Sequence, residues 1–315
     1  MTEALKVVVT SRSFGSGARN VAGELAAAGA QVVRGPVTHE LGELRPLLAG
    51  ADGWIAGTGP ITEAHLAAAP RLRVIARYGV GVDSVDLVTA ARHGVTVTNT
   101  PGANTDAVAD LALALLLSAL RGVTEGDRRV RAGLWTPIRG REIASLRVGV
   151  AGLGRIGRAF ARRASALGCE VVGHDPYASP GDIPCLPLAE LATCDVVSLH
   201  APGGATLIDE RWLATVRPGL VLINTARADL VSEADIAAAL HDGRLGAYAA
   251  DMLTTESGGA SPLLDPELAG RVTLTPHIGA QTVEAIDKMG AAAAADVLAV
   301  LAGRLPRNPV SAEGN

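Results

Sequence analysis

A chain of 315 residues can bury one large hydrophobic core or two of ordinary size. At 48% apolar and only 3% aromatic residues, it has the composition of an alanine-rich, helix-rich globular protein. A formal charge of −4 leaves no electrostatic footprint for nucleic acid or for an anionic membrane. The most apolar run, over 111–120, lies between Asp110 and Arg121. It is too short to span a bilayer and reads as a buried helix. The opening MTEALKVVVT enters a strand almost at once, without a signal-peptide pattern. Cys169, Cys185 and Cys194 are odd in number and form no C-x-x-C pair, so reduced structural cysteines in a cytoplasmic chain are expected.

The predicted elements alternate. A strand over 7–9 precedes a helix over 18–28 that stops at Gly29, and a strand follows over 31–33. Next come a strand over 54–56, a helix over 62–69 capped by Thr62, a strand over 72–76, a helix over 85–93 and a strand over 95–98. NTPG at 99–102 breaks the series, and a long apolar helix follows over 105–121. After Trp135 and Pro137 a second series begins, with strands over 146–151, 170–173, 195–199, 220–224, 246–250 and 272–275. Helices fill the gaps, among them 232–241, and an Ala-rich helix over 283–301 ends the pattern before Gly303. Strands alternating with helices predict parallel sheets covered on both faces. The expected fold is therefore α/β, with two doubly wound parallel-sheet domains and a boundary near Pro101.

The strand over 146–151 leads into GLGRIG at 152–157, a helix follows, and the next strand ends at Asp175. Glycines between a strand and a helix, with an acid 18 residues after the third glycine, form a dinucleotide-binding fingerprint. Gly152 allows the tight turn, Gly154 lets a pyrophosphate approach the backbone, and Gly157 lets helix and strand pack closely. The helix N-terminus offers unpaired N–H groups to the phosphates. A carboxylate at Asp175 accepts hydrogen bonds from ribose hydroxyls and repels a 2′-phosphate. Pro176 and Tyr177 follow it, with no adjacent arginine, so NAD rather than NADP is the expected cofactor.

Three side chains of the second series stand just after predicted parallel strands: Arg227, Glu256 and His277. In open α/β sheets the carboxyl ends of strands form the ligand crevice, so the three are placed to converge. Their chemistry suits a nicotinamide dehydrogenase. A histidine titrates near neutrality and moves a proton. A carboxylate beside it orients the ring and favours the imidazolium. A guanidinium clamps a substrate carboxylate. No metal-ligand spacing is visible. His39, His65, His93 and His241 read as structural or solvated, His174 as lining a pocket, and His200 as bordering the adenine.

These motifs resemble the D-2-hydroxyacid dehydrogenases, in the branch similar to 3-phosphoglycerate dehydrogenase. The resemblance is carried by RYGVGVD at 77–83, NTPGANT at 99–105, the glycine loop with Asp175, CDVVSLHAP at 194–202, INTAR at 223–227 and LTPHIG at 274–279. It implies a Rossmann NAD-binding domain at 100–282 inserted in a flavodoxin-like substrate domain made of 1–99 and 283–315. It implies Arg227 as the substrate-binding arginine, Glu256 as its acidic partner and His277 as the proton donor and acceptor. Asp251 would contact the nicotinamide carboxamide, Arg155 and Ile156 the pyrophosphate, and Thr225 and Ala226 the nicotinamide. Pro202, Gly279 and Ala280 join the expected cofactor contacts, as do Arg227 and His277. Thr58, Val80 and Gly81 join Arg227 and His277 as expected substrate contacts. A homodimer through the cofactor domains, and a cleft that closes on binding, are also implied.

The chain departs from the family pattern in places. Met252-Leu253 stands for an apolar Val-Phe pair, Ser257-Gly258-Gly259 replaces a frequent Pro after the acid, and Ala228 replaces a Gly. The Ser-Gly-Gly turn leads us to expect a less rigid Glu256. In the segment GTGP at 57–60 only Thr58 offers a side chain to a phosphorylated acid, and no serine-sensing domain is expected after Val310. The resulting expectation is an oxidoreductase acting on a small anionic 2-hydroxy or 2-oxo acid, with neither nucleic acid nor membrane as partner. Two alternatives stay open at this point: an NAD(H)-sensing, corepressor-like binding protein, and a dehydrogenase acting on a phosphonate analogue.

Overall fold

The computed structural model describes residues 4–177, 181–256 and 259–311. The chain forms two compact units, one built from 1–104 and 280–315, the other from 105–279. The expected junctions were 99/100 and 282/283; the observed ones are 104/105 and 279/280.

In the first unit, β1 (Leu5–Val9), α1 (Val21–Ala27), β2 (Ala30–Arg34), α2 (Leu41–Leu48), β3 (Gly53–Ala56), α3 (Glu63–Ala67), β4 (Val74–Arg77), α4 (Leu87–Arg92) and β5 (Thr96–Thr98) follow one another. The strands pair in parallel in the order β2-β1-β3-β4-β5, the flavodoxin-like arrangement. Local side chains set the helix starts. The helix expected from Ala18 begins at Val21, because Asn20 accepts the Gly23 N–H and Asp287 accepts the Ala18 and Arg19 N–H groups. The helix expected from Val85 begins at Leu87, because Asp86 caps it through the Thr89 N–H. Helix α2 was not expected; Gly42 and Pro46 lie inside it and hide its period.

The second unit opens with α5 (Thr105–Arg121) and α6 (Val123–Arg131). Then come β6 (Arg147–Ala151), α7 (Arg155–Ala166), β7 (Glu170–His174), β8 (Val196–Leu199), α8 (Glu210–Leu213), β9 (Leu220–Asn224), α9 (Glu233–His241), β10 (Leu245–Ala250) and β11 (Val272–Leu274). The parallel order is β11-β10-β9-β8-β6-β7, and a parallel bridge between Gly173 and Cys185 adds the start of a further strand beyond β7. The order reverses between β6 and β8, so this sheet has its switch point at the end of the glycine strand. Buried side chains alternate between the two faces. Val197, Leu199, Leu222 and Tyr248 join one core, while Val196, Val221, Ile223 and Ala249 join the other with Leu116 and Phe160. Each fully buried leucine or valine of this kind contributes about 2 kcal/mol.

The last helix, α10 (Val283–Leu301), belongs to the first unit. It packs closely on β3 and α1. A Cβ on Gly53 would meet Val297 at 3.1 Å, and one on Gly290 would meet Val21 at 3.1 Å. Tyr78 Oη donates to Ile286 O at 2.8 Å. Among the described residues no single helix is long and apolar enough to cross a membrane.

Candidate active site

The glycine loop sits at the switch point of the second unit. Gly152 adopts φ 98°, a conformation that favours glycine, and a Cβ there would lie 2.6 Å from the His200 carbonyl. A Cβ on Gly157 would lie 1.9 Å from Gly152 O, so α7 can approach β6 only through a glycine. Gly154, exposed at the start of α7, has nothing within 4 Å of a Cβ position. That open space beside the first turn of a twelve-residue helix, which begins at Arg155 and Ile156, fits a dinucleotide pyrophosphate. Asp175 follows β7 and is tied to the same loop. Its Oδ2 accepts the Leu153 N–H at 2.8 Å and its Oδ1 the Tyr177 N–H at 2.8 Å.

His200, expected to border the adenine, directly follows β8 and is half-buried. Its ring is turned inward, with Nε2 2.9 Å from Ser198 Oγ and the ring centroid 5.1 Å from Phe160. Burial pushes its pKa down to about 3, so the ring is neutral at physiological pH. Its backbone N–H donates to the O of Ala151, the last residue of β6, at 2.7 Å. Pro202, two residues on, is exposed beside that loop's strand neighbour β8. His174 donates through Nδ1 to Leu186 O, 2.9 Å away.

Strands β9, β10 and β11 are adjacent and parallel, so their carboxyl ends share one edge with the glycine loop. After β9 the chain turns through Thr225 and Ala226, both buried, to Arg227. The buried Asn224 staples this turn: its Nδ2 donates to Arg227 O at 2.8 Å and its Oδ1 accepts the Ala226 N–H at 3.0 Å. After β10 the Asp251 side chain, 1% exposed, turns toward the residues that follow β11. It accepts from Thr275 Oγ1 at 2.5 Å, Ile278 N at 2.9 Å and Gly279 N at 2.7 Å. In the middle of that turn His277 adopts φ 52°, a left-handed conformation rare for a side chain of this size. The carboxylate expected to contact nicotinamide is thus also the cap of the histidine turn. Gly279 ends this unit and Ala280 opens the return to the other.

His277 and Glu256 form an ion pair, with Nδ1 3.0 Å from Oε1 and 3.2 Å from Oε2. Both side chains stay about two-fifths exposed, at 42% and 44%. The hydrogen bond and charge of Glu256 raise the His277 pKa above the ordinary imidazole value, assisted by Asp251 and opposed by burial and by Arg227. The bond from His277 lowers the Glu256 pKa, and the Arg227 charge acts in the same direction. The fields of the three expected groups therefore overlap on one sheet edge. The Ser257–Gly258 part of the expected looser turn lies outside the described residues.

In the first unit, Thr58 is exposed after β3, and Val80 and Gly81 follow the neighbouring β4. Asn99 Nδ2 donates to Val80 O at 2.8 Å and Thr100 N donates to Gly79 O at 2.9 Å, which fixes the Gly79–Gly81 backbone. His39 and His65 are buried in this unit's interior, whereas His93 and His241 are at the surface. Among the described residues no group of three or more His, Cys, Asp or Glu side chains is placed to hold a metal ion. The sequence reading did not single out Asn224, although a buried amide at a strand end just before a turn is a signal of backbone stapling.

The chain is similar to known proteins. Residues 113–279 match the family model for the D-isomer specific 2-hydroxyacid dehydrogenase, NAD binding domain. D-3-phosphoglycerate dehydrogenase of Mycobacterium leprae (strain TN) is 39% identical over 276 residues, covering 84% of this chain and 52% of that protein. The chain thus spans about half the length of the curated relatives of this kind. Glyoxylate reductase of Korarchaeum cryptofilum is 34% identical over 272 residues, covering 81% of each. The crystal structure of a protein from Thermus thermophilus superposes with a TM-score of 0.89 at 37% identity, covering 97% of this chain and 100% of that one. The chain belongs to the D-2-hydroxyacid dehydrogenase family, and its second unit contains the family's NAD-binding domain.

Proposed function

We propose that the protein is an NAD-dependent oxidoreductase that interconverts a small D-2-hydroxy acid and its 2-oxo acid. The observation that carries this reading is the His277–Glu256 pair at 3.0 Å, within the field of Arg227 and on the sheet edge that bears the glycine loop. Bound NAD supplies the hydride acceptor, and its reduced form the donor. Gly152, Gly154, Arg155, Ile156, Gly157 and Asp175 hold the dinucleotide end, and Thr225, Ala226 and Gly279 its nicotinamide end.

In oxidation, His277 takes the substrate hydroxyl proton at Nε2 while its Nδ1–H stays on Glu256. The carboxylate favours the imidazolium that forms. In reduction the same imidazolium returns the proton to the nascent alkoxide. Arg227 binds the substrate carboxylate and polarises the adjoining carbonyl. Thr58 and the Val80–Gly81 backbone are assigned to the substrate in the first unit. The absence of a basic side chain from GTGP at 57–60 favours a small unphosphorylated acid. A homodimer through the NAD-binding unit belongs to the same reading. It would cover Val130, Leu134 and Trp135, the last 84% exposed.

The test is a panel of glyoxylate, hydroxypyruvate, 3-phosphoglycerate, larger 2-oxo acids and phosphonate analogues, followed through NADH absorbance. Turnover of at least one small 2-oxo acid is expected, lost in His277→Asn with NADH affinity retained. Undiminished turnover in that variant removes His277 from the chemistry. Inactivity on the whole panel, with tight NADH binding, points to a sensor.

A further inference from the structure

Glu233, the first residue of α9, is 9% exposed and is not part of the sheet edge described above. Its Oε1 accepts the Thr254 N–H at 2.7 Å and the Thr254 hydroxyl at 3.0 Å. Its Oε2 accepts the Ser261 hydroxyl at 2.6 Å. The Ser261 oxygen in turn accepts the Leu263 N–H at 3.2 Å, and because a carboxylate only accepts, both hydroxyls donate to Glu233. One carboxylate thereby grips the chain on both sides of Glu256: at Thr254, two residues before it, and at Ser261, five residues after it.

Both ends of the grip are rigid. On one side α9 lies on the main core of the second unit through Ile236 and Leu240, both 0% exposed. On the other, Leu263 enters the same core at 2% exposure. A carboxylate buried to this degree is costly unless its lone pairs are filled, and here three donors fill them. The sequence between carries two glycines, Gly258 and Gly259, a residue type whose conformational freedom works against a fixed Glu256.

We infer that Glu233 is a positioning residue for the acid/base pair: it holds Thr254 and Ser261 so that the Glu256 carboxylate stays against His277 Nδ1. The inference rests on the reading of Glu256 and His277 as the proton-transfer pair. Glu233 acts through Thr254 and has no contact with the reacting atoms. The charged groups that act on His277 itself are Glu256, Asp251 and Arg227, and none of them is altered in the test variants of Glu233 and Ser261.

The experiment is an NMR titration of His277 in the full-length protein, wild type against Glu233→Ala, Glu233→Gln and Ser261→Ala, with Glu256→Gln as the reference for a lost partner. In Glu233→Ala the His277 pKa is expected to fall to nearly the Glu256→Gln value. Glu233→Gln keeps most of the wild-type shift, because the amide oxygen can serve Thr254 and the amide nitrogen can donate to the Ser261 oxygen once its hydroxyl proton turns away. Ser261→Ala lies between and leaves no buried acid without its main partner, so it carries the test if Glu233→Ala does not fold. Turnover in Glu233→Ala should drop about tenfold to a hundredfold, in step with the displaced carboxylate, while NADH binding persists. A Glu233→Ala or Ser261→Ala protein that loses only thermal stability, with the His277 titration unmoved, overturns the inference. The titration needs no substrate, so it decides Glu233 even if wild-type protein turns over none of the acids, a result that would count against the proposed activity instead.

Discussion

The Asp251 carboxylate accepts the Gly279 backbone N–H at 2.7 Å, tying the end of β10 to the turn that presents His277. The same carboxylate holds Thr275 Oγ1 at 2.5 Å and Ile278 N at 2.9 Å, and His277 between those two residues adopts φ 52°. A side chain held in that region stores about 1–3 kcal/mol of strain, which the cap must offset. Asp251→Asn puts an NH2 group where an oxygen faces these donors. It should cost about 1–3 kcal/mol in urea unfolding. It should also depress turnover, because the histidine turn relaxes. A variant with wild-type stability and turnover would show that the cap is dispensable.

On the proposed mechanism the His277–Glu256 pair sets the pH dependence of turnover. The folded His277 pKa is raised and the folded Glu256 pKa is lowered, each chiefly by the hydrogen bond to the other. In that mechanism oxidation needs neutral His277, so its rate should rise as pH climbs through the raised pKa. Reduction needs the imidazolium, so its rate should fall over the same range. Glu256→Gln removes the cause of the shift and should move both limbs to lower pH. The stability sign follows the same logic. The His277 contribution is present below the unfolded pKa and is lost as pH rises through the folded one. The Glu256 contribution is present above its unfolded value and is lost as pH falls through the folded one. Both groups are exposed enough that the stability effect is small, so pH–rate profiles are the sharper measurement.

Much of this was legible because each signal was local. Helices α5 and α10 have the bounds expected from their apolar runs, and β9 has the bounds of LVLIN. The glycine turn after β6 and the approach of Glu256 to His277 were legible because both lie beyond the ends of strands that the sequence marks. What was not legible lies in bonds between distant elements. The Asp251 cap reaches across 27 and 28 residues, and the Glu233 grip across 21 and 28. An acid in a helix's first turn reads as a dipole partner, and nothing in EADIAAALH says that Glu233 turns inward. Helix α6, VTEGDRRVR, was missed for another reason: its mean composition is polar, and Glu125 within it is buried only because Arg128 and Arg129 pair with it.

His39 makes the first unit acid-sensitive. It is 2% exposed, with φ 60°, and its Nε2 lies 2.6 Å from Thr10 Oγ1. Its Nδ1 lies 3.1 Å from Pro60 O, a pure acceptor, so Nδ1 carries the proton and Nε2 accepts from Thr10. Thr10 in turn accepts from Trp54 Nε1 at 3.0 Å and Gly57 N at 3.3 Å, which secures the start of the segment bearing Thr58. Burial lowers the His39 pKa to about 4. Because the unfolded chain binds this proton first, stability should fall as pH drops from about 6.5 toward 4, by up to about 3 kcal/mol. Urea midpoints at neutral pH and near pH 4.5 would measure the drop. His39→Gln should lose stability at neutral pH yet show a smaller further loss on acidification. An equal acid loss in both proteins would assign the effect to other groups.

Two glycines of one loop should respond in opposite ways. Gly157→Ala places a Cβ 1.9 Å from Gly152 O, a backbone atom that cannot swing aside. Helix α7 must then move off β6, at a cost of about 3 kcal/mol or more, and NADH binding should vanish with the geometry. Gly154 has φ −69°, open to any residue, and no atom within 4 Å of its Cβ position. Gly154→Ala should therefore change stability by less than about 0.5 kcal/mol. Its methyl nevertheless enters the space assigned to the pyrophosphate, so the NADH dissociation constant should rise about tenfold or more. Calorimetric titration of NADH alongside thermal unfolding separates the two effects. If Gly154→Ala bound NADH as tightly as wild type, the pyrophosphate would have to lie elsewhere on the loop, and the helix N-terminus at Arg155 would lose its assigned role.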